Sequence, residues 1–318
     1  MPADPQPPAD TAVTLLGPQR RPHLDAVMAS LGLTGGPRVA LVNAGWRERE
    51  PDDGLLAAQA GGNTVNLRLW HRMQEVWEAD PELAAADRRR RQVLEEMQEL
   101  YLLGLDHAMS AILALHQHRP RSAQAQPMAI QDAEQIIREM DERHLARVER
   151  VHGEFWERRP PHERPAVAQV RELLARELVD ADAVVVPGGH VGVLVGAMHL
   201  FNIAPLIRVP VLAWGAGAMA LTDRVVLFHD RAAHGPSVAE VFSAGVGLVP
   251  GVVALPTARE RLDLGDQVRM ATLARRFAPA VCMPLDEHTR VDVTAAGELP
   301  PDAQVIGTDG LRTARGAA

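Results

Sequence analysis

Apolar positions along the chain fall into three blocks of different rhythm. The first opens with two short apolar runs, residues 12–16 and 38–43, on either side of an amphipathic stretch at 24–31. This predicts strand, helix, strand. A third strand is expected at 64–69, directly after the turn signal Gly61-Gly62-Asn63. From about residue 70 to 177 the pattern changes, and charged residues are dense between apolar ones. Leu94, Met97, Tyr101, Leu105, Ala108, Ile112 and Leu115 recur at spacings of three and four, as do Ile130, Ala133, Ile137, Met140, His144, Val148, Val151 and Phe155. Both sets describe one face of a long helix. The polar, Pro-containing segment 118–127 between them predicts an antiparallel helical hairpin. Its first helix, at about 35 residues and 1.5 Å per residue, would be about 50 Å long and reach beyond a compact body. A third helix over 167–178 leads back to the core.

The last block alternates strands and helices. Strands are expected at 183–186, 210–214, 224–228, 251–255 and 280–283, with a helix at 267–277. Such alternation implies an α/β fold, a mostly parallel sheet covered by helices. The α/β body would span 12–70 and 180–308, interrupted by a helical insertion at 71–179. A disordered leader (1–11) and a flexible tail (309–318) would flank it.

Composition narrows the function classes. Of 318 residues, 47% are hydrophobic and 23% charged, a soluble globular balance. All 33 basic residues are arginine. The absence of lysine removes Schiff-base, Walker-type and Ser-Lys chemistry. A net charge of -8 without a basic stripe argues against nucleic acid, and the run Arg88 to Arg91 reads as a solvated helix face. No apolar stretch is long enough to span a membrane, and the Pro-rich start is not a signal peptide, so the cytoplasm is the expected compartment. Cys282, inside the apolar run AVCMPL, reads as a buried packing residue and not a nucleophile.

The segment PVLAWGAGAMAL carries the most chemistry. A strand running straight into small residues and then a helix is the setting of a nucleophile elbow, where a tight turn brings the backbone close to a substrate. Gly215 stands at the point of the turn, between Trp214 and Ala216. Upstream, Pro187-Gly188-Gly189-His190 follows another apolar strand.

These motifs, with the downstream segment GVGLVPGVVALPTARERL, resemble peptidase E and cyanophycinase, the S51 peptidase branch of the class I glutamine amidotransferase-like fold. The resemblance covers 12–70 and 180–295. It implies a three-layer, flavodoxin-like fold in which Gly188 and Gly189 supply part of an oxyanion hole. It places Gly215 where the family carries its serine nucleophile, and Thr257 where it carries its histidine base. With no side chain at the elbow, serine hydrolysis lacks its attacking atom, although backbone donors can still bind an anion. Gly188, Gly189, His190, Trp214, Gly215 and Ala216 are the expected binding residues.

Three readings stay open. The first is a disarmed peptidase scaffold that binds a small peptide, amino acid derivative or carboxylate, with no cofactor. The second is a hydrolase of altered mechanism using His190, His229, Asp230 or His234, with metal assistance as one variant. The third is an assembly protein whose hairpin pairs with its own copy or another chain. The letters Phe242-Ser243-Ala244-Gly245 repeat the elbow motif but are read as following a helix, which is the wrong context. Glu99, Asp106, His107, Glu139 and His144 lack the paired Glu-x-x-His spacing of a di-metal bundle, so no metal site is assigned.

Overall fold

The computed structural model describes residues 12–20, 22–122, 124–230 and 237–317. The expected leader, 1–11, and the candidate His234 lie outside the described residues. In chain order the strands are β1 (Val13–Leu16), β2 (Val39–Leu41), β3 (Thr64–Asn66), β4 (Ala183–Val186), β5 (Val211–Trp214), β6 (Arg224–His229), β7 (Ser237–Ala244), β8 (Val252–Pro256), β9 (Val281–Leu285), β10 (Arg290–Val293), β11 (Gln304–Ile306) and β12 (Arg312–Ala314). The helices are α1 (Leu24–Ser30), α2 (Gly54–Gln59), α3 (Leu69–Ala79), α4 (Pro81–Gln117), α5 (Ala125–Arg158), α6 (Pro165–Val179), α7 (Val191–Leu200), α8 (Ala216–Leu221), α9 (Ala258–Arg261) and α10 (Gln267–Phe277).

The fold is α/β with a parallel-dominated sheet. Six strands lie in the order β10-β1-β5-β4-β2-β3, all parallel except β10, which runs antiparallel to β1. The inner strands are apolar without interruption because both faces are covered. Val39, Leu41, Ala183, Val185 and Leu212 face one core cluster with α1 and α2 residues, while Ala40, Val42, Val184, Val186, Val211 and Ala213 face the other. The period-2 alternation of a strand thus feeds two cores at once.

Several expectations are corrected. Strands β6, β8 and β9, expected in the same sheet, pair elsewhere. β8 and β9 belong to a four-stranded sheet, β12-β11-β9-β8, and β6 pairs antiparallel with β7. The third strand ends at Asn66, because Arg68 adopts a left-handed conformation that turns the chain into α3. The segment read as a helix before Ser243 is strand β7, so the repeated Ser-Ala-Gly letters end a strand but do not open a helix. The expected flexible tail is held in part by β12, which pairs with β11.

The insertion forms the hairpin read from its periodicity. Gln126 at the start of α5 donates through Nε2 to the carbonyls of Leu115 (2.7 Å) and His118 (2.9 Å), tying the end of α4 to its return. The hairpin docks through a buried polar knot. Arg276 of α10 donates to both oxygens of Asp141 in α5 (2.6 and 2.8 Å), to Tyr101 Oη in α4 (3.0 Å) and to the Ala239 carbonyl in β7 (2.6 Å). Tyr101 Oη donates to Asp141 at 2.6 Å. The Arg276 and Asp141 side chains are only 2% and 3% exposed. Burial alone lowers the Arg276 pKa, but the hydrogen bonds and charge of Asp141 outweigh it and leave it raised. Burial likewise raises the Tyr101 phenol. On the outer side, Leu100, Leu103, Met128 and Ile136 remain more than half exposed.

Arg90 departs from the solvated face expected for its basic run. It pairs with Asp87, and its guanidinium lies 4.1 Å from the Phe155 ring centroid. Nearby, His152 is pushed down to about 4 from 6.5, first by burial, then by the charge of Arg90, then by His199. His199 is lowered too, chiefly by burial. A histidine held neutral in the fold takes its proton only in the unfolded chain over this interval. Stability is therefore expected to fall as pH drops from 6.5 toward 4, by up to roughly 3 kcal/mol for His152 alone. Chemical denaturation across that range should show the decline, and His152→Gln should flatten it.

Candidate functional site

The adjacent strands β4 and β5 end side by side, and the loops at their carboxyl ends build the site, as open α/β sheets dispose their ligand sites. At the end of β5, Gly215 takes φ 58° and ψ -129° and opens α8. This is a sharp strand-to-helix turn of elbow shape. A Cβ built on Gly217 would lie 2.0 Å from the Val186 carbonyl oxygen, so close packing of α8 against the end of β4 requires a glycine there. These two positions account for the Gly-Ala-Gly-Ala letters of the motif.

The facing loop, 187–190, is clamped by residues 44–49, which follow β2. Trp46 Nε1 donates to the Gly188 carbonyl (3.0 Å), and the His190 amide donates to the Gly45 carbonyl (2.8 Å). The His190 N–H is thereby committed. The N–H groups of Gly189 and Ala216 donate to no partner among the described residues. Gly188 lies against the turn: a Cβ there would sit 3.7 Å from both the Ala216 nitrogen and the Gly215 Cα.

Gly188, Gly189, Gly215, Ala216 and Thr257 line one cavity of about 900 Å³. Thr257 follows β8 in a left-handed conformation, with its hydroxyl donating to the Pro256 carbonyl at 2.6 Å. Arg20, Arg261 and His229 add basic groups to the lining, and Asp106 and Glu240 add acidic ones. Arg20 pairs with Glu260 at 2.7 Å, whereas Arg261 has no carboxylate partner among the described residues and lies 5.9 Å from the Phe228 ring centroid.

The other candidates are dispersed. His190 caps α7, its Nδ1 accepting from the Val193 amide at 3.3 Å, and is absent from the cavity lining. Asp230 is held by Arg269 (2.6 Å) and by the Asp263 amide (3.1 Å), outside the cavity. Trp214 lines a neighbouring crevice shared with Arg20, Gly215 and Thr257. Cys282 is fully buried and its thiol is pushed up to about 12, so it is inert as a nucleophile. Among the described residues no group of three or more His, Cys, Asp or Glu is placed to hold a metal ion. His144 packs flat on Tyr101, with ring centroids 4.1 Å apart.

Glu240 and Asp106 are the acidic cavity residues that sequence reasoning does not assign to the site, and Arg20 is a basic one. Glu240 lies on the strand read as a helix. In the sequence Asp106 reads only as one of a set of possible metal ligands, and nothing in its spacing signals that α4 lines the cavity.

No family model matches the sequence, and no curated protein does. Among solved structures, the chain is similar to the crystal structure of a peptidase from an acI-B1 Actinobacterium. The two share 14% identity over 95% of this chain and 92% of that one, with a TM-score of 0.43. Similarity of that size assigns no activity. No helix is long and apolar enough to cross a membrane among the described residues.

Proposed function

We propose that the protein is a disarmed member of the peptidase E and cyanophycinase lineage, on a flavodoxin-like scaffold, which binds the carboxylate of a small peptide or amino acid derivative at its vestigial elbow. The observation that carries this reading is the turn at Gly215. It has an elbow backbone, φ 58° and ψ -129°, yet presents no side chain, and the amides of Gly189 and Ala216, which line the same cavity, donate to no partner among the described residues. Amides at such a turn form an anion site whether or not a nucleophile is present. Thr257, at the edge of the same cavity, offers a hydroxyl already donated to its own chain and so no base.

The reading is tested by calorimetric titration with N-acetylaspartate and aspartyl dipeptides. Binding is expected in the parent protein. Gly188→Ala should weaken it at least about tenfold, because the new methyl would crowd the turn, 3.7 Å from both the Ala216 nitrogen and the Gly215 Cα, at an ordinary packing distance that leaves the fold intact. Unchanged affinity in that variant, with an unaltered melting temperature, would remove the elbow from the binding site.

A further inference from the structure

The hairpin presents an exposed apolar stripe edged by charges. Met97 and Leu100 of α4, with Met140, Arg143 and Arg147 of α5, line a groove of about 320 Å³ to which only the hairpin contributes. Helical spacing continues this face through Arg89, Val93, Glu96 and Leu103 on α4, and through Ile136 and Glu154 on α5. Val93, Leu100, Leu103 and Ile136 are between 46% and 64% exposed. Among the described residues Arg89, Glu96 and Arg147 have no hydrogen-bond or ion-pair partner.

Contacts between α4 and α5 fix which residues stand level. Gln98 meets His144 at 2.8 Å, Tyr101 meets Asp141 at 2.6 Å, and a Cβ built on Gly104 would lie 3.0 Å from Met140 Cε. Continued in the same antiparallel register, Arg89 is level with Glu154, Glu96 with Arg147, and Leu103 with Met140. At these levels each charge on one helix is answered by the opposite charge on the other, and apolar by apolar. A half-turn about an axis lying along this face, parallel to the helices, carries α4 over the α5 of a second copy and keeps every level. Each matched pair then becomes a contact between copies, made twice by symmetry.

We propose that this face is the interface of a symmetric dimer in which two hairpins form an antiparallel four-helix bundle, with Glu96 against the partner's Arg147, Arg89 against the partner's Glu154, and Leu103 on the partner's Met140. A second copy suits the stripe better than a small molecule. From Arg89 to Leu103 it runs about 20 Å at 1.5 Å per residue, and its charges already answer its own in this register. Burial of the exposed leucines drives association, and the ion pairs select the register. The groove shares no lining residue with the elbow cavity, so the dimer does not rest on the ligand reading.

Sedimentation velocity of the full chain tests it, and twice the chain mass is expected at micromolar concentration. Glu96→Arg and Arg147→Glu should each weaken association at least about tenfold, because like charges then face each other across the interface. An equimolar mixture of these two variants should recover it, since one carries positive charge at both positions and the other negative. Only a contact between copies gives that result. Leu103→Arg, at an exposed position that leaves the fold intact, should weaken association as well. A monomeric parent overturns the proposal and leaves the stripe to a partner of another sequence. A dimer that keeps its affinity in all three variants, or charge variants that stay apart when mixed, overturns it too.

Discussion

Asp141→Ala is expected to destabilise the protein by about 3–5 kcal/mol, because it strands the guanidinium of Arg276 in the interior with no counter-charge. Three parts of the chain meet at this guanidinium: α4 through Tyr101, α5 through Asp141, and β7 through the Ala239 carbonyl. Urea unfolding measures the loss directly. Tyr101→Phe removes one acceptor but leaves the ion pair whole, and should cost only about 1–2 kcal/mol. If Asp141→Ala cost less than Tyr101→Phe, the knot would not be what holds the hairpin to the body. Arg276→Met, which removes the charge together with its need for a partner, should be milder than Asp141→Ala.

The second large effect is a gain. Hydrolysis of aspartyl dipeptides and β-aspartyl-arginine is expected to be absent in the parent and to appear in the double variant Gly215→Ser with Thr257→His. The gain should be at least about a hundredfold, the low end of what general-base catalysis contributes. The fold can accept the serine. Its Cβ would lie 3.1 Å from the Gly188 Cα at a positive φ, a strain on the order of 1–3 kcal/mol. Arg47, at φ 59° and ψ -125°, already holds a side chain on nearly the same backbone conformation elsewhere in the chain. Either single variant should remain inactive, since nucleophile and base act as a unit. Activity in the unaltered protein would show that other cavity groups perform the chemistry, with His229 the first to replace.

What was legible in the sequence follows the physics of each signal. Strand β5 and its turn were readable because a four-residue apolar run ending in Gly-Ala-Gly-Ala has few other uses. The helices α4 and α5 were readable because their periodicity runs over many turns. The sequence 237–244 was misread because Val238, Val241 and Phe242 satisfy a helical spacing of three and four. Its alternation is blurred by two register irregularities against β6 and by helices packed on it. Strands β10, β11 and β12, at three or four residues each, are too short to show any period. The site divides the same way. Gly188, Gly189, Gly215 and Ala216, expected as binding residues, lie together at one cavity, and their turns are legible because turns write themselves into local sequence. Glu240 and Asp106 reach the cavity only through tertiary docking, which leaves no local mark.

The buried knot also dictates the order of events during synthesis. Tyr101 and Asp141 leave the ribosome well before Arg276, which lies 175 and 135 positions further along. At about 5–20 residues per second, the hairpin waits on the order of ten seconds for the helix that will anchor it. During that interval the carboxylate of Asp141 has no counter-charge, and the apolar stripe of each long helix has only the other to cover it. A truncation that removes α10 would leave Asp141 and Tyr101 without the guanidinium that they share in the folded chain.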